Sequence, residues 1–173
     1  MGESEKFDIM NYESYYANGR CCYENDDCSI SILELDDSYS VQSEPAFPDM
    51  VCDFKQYDAN TLLLKVNGQY LKNGSAKIGV WKEYDRDGCL IKKTDYEEGW
   101  RIGWDELLVL MEKEGIDLRQ VVSILRIKND KSSGERNFVW IVGVLVTDAL
   151  LVECSFDGLT GERFYLDVIE MGQ

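Results

Sequence analysis

The chain has 173 residues, of which 20 are aromatic and 45% are apolar, enough for one domain or for two small packed halves. Its 18 basic and 33 acidic residues give a net charge of −15, which argues against direct binding to nucleic acid or to an anionic membrane. The sequence contains no histidine, so mechanisms that need an imidazole are excluded, including the Ser-His-Asp and Cys-His arrangements.

The first predicted region, residues 1–49, is an acidic N-terminal segment. Residues 1–53 contain 13 acidic and 2 basic residues, a net charge of −11. Tyrosine beside carboxylate suits a protein-binding face, because the ring gives rigid contact area with a polar tip. Two alternatives stay open: the acids form a solubilising face, and the tyrosines form the outward rows of a sheet. The candidate partner-binding residues are Tyr12, Tyr15, Tyr16, Tyr23, Glu24, Asp26, Asp27, Glu34, Asp36 and Asp37.

An internal repeat predicts antiparallel β-hairpins over residues 50–100. Phe54–Lys65 aligns with Trp81–Lys92, and each copy has an aromatic strand, a polar turn and an apolar strand. The stretch Ser43–Pro48 holds both prolines of the chain and is the best candidate for a linker. Three dipeptides add turn signals: Asn67-Gly68, Asn73-Gly74 and Asp87-Gly88.

The last region, residues 101–173, is predicted to be one helix and four strands. Trp104, Leu107, Leu108 and Met111 recur at helical spacing before Gly115, which predicts a helix over 104–114. A helix packed on a four-stranded antiparallel meander gives the α+β class, and we expect one compact unit overall. The four predicted strands are Val121–Ile127, Phe138–Val146, Leu150–Phe156 and Arg163–Ile169.

Motifs that suggest metal chemistry have simpler interpretations. Asp85–Gly88 resembles the start of a calcium loop, but Cys-Leu-Ile follows where further oxygen ligands are needed, so a hairpin turn is favoured. Cys21 and Cys22 are adjacent, and neighbouring cysteines cannot easily share one tetrahedral ion with Cys28. The sequence therefore predicts no catalytic residue, no metal and no cofactor.

The start of the chain is acidic and lacks a basic leader, so we expect a cytoplasmic protein whose six cysteines are free thiols. The four tryptophans fall within predicted strands or at the helix start and are expected in the core: Trp81, Trp100, Trp104 and Trp140.

Two signatures together resemble a known family. Gly79–Lys92 resembles the MORN-variant repeat of bacterial antitoxin-like immunity proteins, with its Gly-x-Trp strand, Tyr-Asp-x-x-Gly turn and Leu strand. Asp95-Tyr96, the helix from Trp104, Gly115–Leu118 and Phe156–Glu162 are similar to the C-terminal half of such proteins. The ending Asp-Gly-x-Thr-Gly-Glu also resembles the last turn of a PepSY-type module. The likeness covers roughly residues 50–170, and residues 20–45 match no part of the family pattern.

The resemblance implies an immunity protein that binds and neutralises one cognate secreted toxin domain without catalysis. The acidity favours a basic toxin surface, such as that of a nuclease or another nucleotide-related enzyme, because complementary potentials speed association. We expect a monomer that forms a 1:1 complex, with no nucleic acid or membrane partner. The alternatives are a PepSY-like peptidase inhibitor or folding factor, and an enzyme that uses only Asp, Glu or Cys.

Overall fold

The computed structural model describes residues 5–8, 10, 16–17, 20–24, 27–74, 76–129 and 136–170, and only the backbone of residues 16, 17 and 20–23. Two antiparallel sheets and one α-helix account for most of them, which confirms the α+β class. The chain divides into two compact units. The first runs up to Tyr70 and includes Lys77–Tyr96, and the second comprises Leu71–Ala76 and the chain from Glu97 onward.

The sheet of the first unit has eight strands that follow one another in chain order. Two predictions are wrong here. Ser43–Pro45 lies in a strand rather than a linker, and Asn67-Gly68 lies inside a strand rather than at a turn, because an aromatic ring packs on Gly68. The strands are β1 Tyr16–Ala17, β2 Arg20–Glu24, β3 Cys28–Leu35, β4 Ser38–Pro45, β5 Val51–Asp58, β6 Leu64–Leu71, β7 Lys77–Tyr84 and β8 Leu90–Asp95.

The turns β5–β6 and β7–β8 are each closed by an aspartate, and the two aspartates occupy the same position of the sequence repeat. Asp58 Oδ1 accepts hydrogen bonds from the N–H groups of Asn60 and Thr61, at 3.0 and 2.9 Å. Asp85 Oδ1 accepts in the same way from Asp87 and Cys89, at 3.0 and 2.8 Å. A carboxylate that binds backbone N–H groups two to four residues ahead stabilises a tight turn. Asp85–Gly88 is thus a hairpin turn, as predicted.

One aromatic ring organises the centre of this sheet. The indole of Trp81 lies directly against Gly68, where any Cβ would overlap the ring. The indole stacks on Phe54 with ring centroids 5.4 Å apart, and its Nε1–H donates to the Gln69 carbonyl at 2.9 Å. Lys77 Nζ lies 4.0 Å from the ring centroid on the exposed side. Trp81 is 8% exposed, which confirms its predicted place in the core.

The second unit is the predicted helix and four-stranded meander. Its sheet has the order β12-β11-β10-β9, and each neighbouring pair is antiparallel. The tip of the β6–β7 hairpin, Leu71–Ala76, belongs to this unit. The elements are α1 Trp104–Lys113, a 3₁₀ turn Leu118–Gln120, β9 Val121–Lys128, β10 Phe138–Thr147, β11 Leu150–Asp157 and β12 Arg163–Glu170.

Helix α1 begins and ends where the sequence predicts. Glu106 accepts the Gly103 N–H at 3.0 Å at the start of the helix. Gly115 has φ +74° and lets the Ile116 N–H return to the Met111 carbonyl at 2.9 Å, which terminates the helix. Leu107 is 0% exposed and Met111 is 1% exposed, so the predicted apolar face is the buried one.

A buried arginine holds the core of the second unit together. The Arg126 guanidinium forms two hydrogen bonds with Glu97, at 2.9 and 2.7 Å. It lies 4.1 Å from the ring centroid of Trp100 and 4.8 Å from that of Trp140. Trp140 is fully buried as predicted, whereas Trp100 and Trp104 are half-buried.

We predict that Gly68→Ala destabilises the protein by about 1–3 kcal/mol, because the new methyl group must displace the Trp81 ring. Gly115→Ala is the control, since its Cβ meets nothing within 4 Å and only the positive φ is unfavourable. The measurement is a double-mutant cycle with Trp81→Leu in urea unfolding. In the Trp81→Leu background Gly68→Ala should cost much less, and equal costs in both backgrounds would contradict the ring–glycine contact.

Candidate protein-binding surface

The predicted partner-binding acids that the structure describes lie at the ends of strands β2, β3 and β4. Glu24 ends β2 and Asp27 lies in the turn to β3, and both are exposed. Glu34 lies near the end of β3, and Asp36 and Asp37 form the exposed two-residue turn to β4. We call these two groups the β2–β3 end and the β3–β4 end of the surface.

Folding separates the two groups. They lie at opposite ends of β3, whose eight residues span roughly 26 Å at 3.3 Å per residue. A single compact partner patch therefore contacts one end, or else an extended partner lies along the strands. The sequence shows that both windows are acidic, but only the strand between them shows that they lie far apart.

Each end includes one further carboxylate that was not predicted from the sequence. At the β2–β3 end, Glu24 pairs with Ser29, and Ser29 pairs with Glu44 of β4, so the two glutamates lie in one row across three strands. At the β3–β4 end, Ser38 pairs with Asp58, and the Ala59 N–H donates to the Asp37 carbonyl at 3.0 Å. Strand pairing alone brings Glu44 and Asp58 to these positions, so no local sequence pattern indicates them.

Asp37 is the acid of this surface whose environment is best defined. Its carboxylate accepts hydrogen bonds from Lys65 Nζ at 3.2 Å and from the Ser38 hydroxyl at 3.1 Å. The hydrogen bond from Lys65 lowers the pKa of Asp37 below its usual value, with a further contribution from Ser38. Asp37 thus stays negatively charged at neutral pH while 77% of its side chain is exposed.

Several predicted residues lie outside the described part of the chain. Tyr12, Tyr15 and Asp26 are among them. Tyr16 and Tyr23 lie in β1 and β2, and only their backbone is described. The tyrosine part of the predicted interface therefore stays a prediction.

The sequence analysis also missed an anchor at the start of the chain. Phe7 is 6% exposed and packs on Tyr57 and Tyr39, with ring centroids 5.1 and 5.2 Å away. Its N–H donates to the Leu62 carbonyl at 2.8 Å, which fixes residues 5–8 against the sheet. Beside this segment is an open cavity of about 320 Å³ with both charged and apolar walls, lined by residues that include Asp8, Val41, Asp53 and Lys55.

Glu5 fastens the same segment through two polar contacts. Its carboxylate accepts hydrogen bonds from Lys55 Nζ and from the Tyr57 hydroxyl, both at 2.7 Å. Partial burial raises the pKa of Glu5, but these hydrogen bonds and the charge of Lys55 outweigh it, so the pKa lies below its usual 4.5. The ionised form of Glu5 therefore stabilises the fold.

The described residues form neither a metal cluster nor a membrane-spanning helix. Within the described ranges, no three Cys, Asp or Glu side chains converge as metal ligands. The cysteines whose side chains are described form no disulfide, namely Cys28, Cys52, Cys89 and Cys154. None of the described helices is long and apolar enough to cross a membrane.

Comparison of the chain with models of protein families, with curated proteins and with solved structures gives no match.

We predict that Glu5→Gln lowers the free energy of unfolding at pH 7 by about 0.5–1 kcal/mol, a small value because Glu5 is 45% exposed and screened by solvent. A lowered carboxyl pKa contributes stability above the unfolded-state pKa, and the contribution is lost as pH falls through the folded-state pKa. The difference between wild type and variant should therefore shrink below about pH 4.5. Exposed Glu112→Gln is the control in urea titrations, and a pH-independent difference for Glu5→Gln would contradict the assignment.

Proposed function

We propose that this protein is a cytoplasmic immunity protein that binds and neutralises a cognate secreted toxin domain and has no catalytic activity of its own. The observation that carries the proposal is the clustering of carboxylates at both ends of β2–β3–β4. Glu24 and Asp27 mark one end, and Glu34, Asp36 and Asp37 mark the other. Glu24 and Glu34 lie on paired strands and Asp36 and Asp37 in the tight turn between two of them, which fixes their backbone positions and suits recognition of a basic protein surface.

We infer that the two copies of the sequence repeat are structural repeats of one MORN-variant-like hairpin. Two facts support this. The repeated aspartates Asp58 and Asp85 each accept the N–H of the residue two positions ahead in their turns. The repeated aromatic residues Phe54 and Trp81 stack on one another. Such a repeat gives the surface a regular scaffold on which the N-terminal strands are added.

The acidic surface fits a basic partner better than it fits nucleic acid or an anionic membrane, which it would repel. A toxin that acts on nucleic acid or nucleotides has a basic cleft for its substrate, and an acidic protein that covers that cleft competes with the substrate. The protein would act as a monomer in a 1:1 complex, with the tyrosines of the first strands adding contact area beside the carboxylates.

Co-expression tests the function. Growth should be restored when this protein is produced together with the toxin domain encoded in the adjacent gene, and not with an unrelated toxin domain. The purified protein alone should show no hydrolase or transferase turnover. Turnover by the protein alone that a single Asp or Cys substitution abolishes would contradict the proposal.

Two matched triple variants test which end binds. One carries Glu24→Gln, Asp27→Asn and Glu44→Gln, and the other carries Glu34→Gln, Asp36→Asn and Asp37→Asn. We expect one of the two triple variants to associate with the toxin domain several-fold more slowly than the wild type in about 20 mM salt. This difference in association rate should fade at about 0.5 M salt, because charges are then screened.

The control variant also loses three negative charges, but from exposed sites in the second unit. Its substitutions are Glu98→Gln, Glu112→Gln and Asp148→Asn. All three proteins should keep the unfolding midpoint near that of the wild type. Equal association rates for both triple variants and the control would show that the acids only keep the protein soluble.

A further inference from the structure

Strand β12 is an open edge of the second unit, whereas the opposite edge of the same sheet is covered. The hairpin tip bonds to β9, with the Ile124 N–H donating to the Asn73 carbonyl at 2.9 Å and Asn73 Nδ2 donating to the Val121 carbonyl at 2.8 Å. On its outer side β12 pairs with no other described strand. All eight residues of β12 are exposed.

The two faces of β12 have different chemistry. Leu166 and Val168 lie on one face and are 53% and 55% exposed. On the other face Asp167 lies between an aromatic and an aliphatic residue of β12 and directly opposite Glu153 of β11. Like charges directly opposite each other in a sheet repel, so this pair favours a cation beside it. Among the described residues, neither carboxylate forms an ion pair.

Asp167 also accepts a hydrogen bond from one backbone N–H of the edge strand. Its Oδ1 accepts the N–H of Val168 at 2.9 Å, and its Oδ2 accepts the Tyr165 hydroxyl at 3.1 Å. A backbone N–H that bonds to a side chain of its own strand is not committed to the ladder with β11. A basic residue that draws the Asp167 carboxylate away would leave the Val168 N–H available to an added strand.

The β8 edge of the first unit lacks these properties. Strand β8 carries Lys92 and Lys93 side by side at its centre, and lysine on an edge strand prevents pairing with other chains. The centre of β12 is Leu166-Asp167-Val168. An edge strand that exposes apolar side chains and lacks lysine is a template for pairing with another chain.

We propose that β12 is a docking edge for an extended segment of a partner protein in which basic and apolar residues alternate. The segment adds a fifth strand to the β9–β12 sheet, with its basic side chains beside Glu153 and Asp167 and its apolar side chains beside Leu166 and Val168. A second copy of this chain is a poor occupant. Its own β12 offers Asp167 and Glu170, and its Arg163 already pairs with Glu114 at 2.5 Å.

The probe is the capped peptide (Lys-Val)₄, titrated into the full-length protein by fluorescence anisotropy. Two control peptides separate the contributions. Peptide (Glu-Val)₄ reverses the charge, and Lys₄Val₄ keeps the composition but loses the alternation. We expect (Lys-Val)₄ to bind at least about tenfold more tightly than either control, because only an alternating strand places charge and apolar contacts on opposite faces.

Variants of the edge test the strand geometry. Val168→Pro removes one N–H at an edge position where proline is tolerated, and should weaken (Lys-Val)₄ binding at least about tenfold. Val168→Ala keeps the N–H and should stay within about threefold. Asp167→Asn combined with Glu153→Gln should remove the preference for (Lys-Val)₄ over (Glu-Val)₄.

Amide hydrogen exchange of the wild type gives a readout that needs no variant. Bound (Lys-Val)₄ should slow exchange at Leu166 and Val168 and leave β8 amides unchanged. Three results would overturn the proposal: equal binding of Lys₄Val₄, protection at β8 instead of β12, or a concentration-dependent dimer with β12 already protected, which would make a second copy the occupant. Toxin neutralisation is a separate question, since these measurements use no toxin.

Discussion

Both units depend on aromatic rings that pack directly against glycine backbone. Trp81 lies on Gly68 in the first unit, and Trp100 lies on Gly158 in the second. A Cβ at either glycine would overlap the ring, so the close approach is available to glycine alone. The rings in turn place charged groups: Lys77 lies over Trp81, and Arg126 lies over both Trp100 and Trp140. Packing and charge are therefore fixed by the same contacts.

Carboxylates serve two different purposes in this acidic chain. Some are structural, because Asp58, Asp85 and Asp157 each accept backbone N–H groups and close a turn. These groups are used by the fold itself. Others, such as Asp36 and Glu24, lie exposed at strand ends where they contribute mainly to the surface potential. The net charge of −15 thus combines a folding requirement with a surface property.

The proposed partner contacts lie in both units and use different physics. The ends of β2–β3–β4 offer charge at fixed positions, which favours rapid association with a basic surface. Strand β12 offers unpaired backbone groups and apolar side chains, which favour slow dissociation once a strand has been added. A basic protein with an extended segment would be recognised by both features. Each feature is complete within its own unit, so each can be tested separately.

Periodicity in the sequence was enough to predict the helix and the four strands of the second unit. The spacing of Trp104, Leu107 and Met111 gave the helix, and Gly115 gave its end, because these signals act within one or two turns. The β-branched runs gave four strands whose observed bounds differ from the predicted ones by a residue or two. Short connections then left the antiparallel meander as the simplest arrangement.

Contacts between residues distant in sequence were decided by the tertiary structure alone. The dipeptide Asn67-Gly68 is typical of a turn, yet the packing of the Trp81 ring on Gly68 keeps it in the middle of β6. Ser43–Pro45 reads as a linker, yet β4 continues through it because Ser43 pairs with Asp53 across the sheet. The sequence predicts one acidic surface, yet β3 separates its two acidic windows. Local sequence determined the elements and their charge, whereas strand pairing decided which carboxylates lie together and which edge stays open.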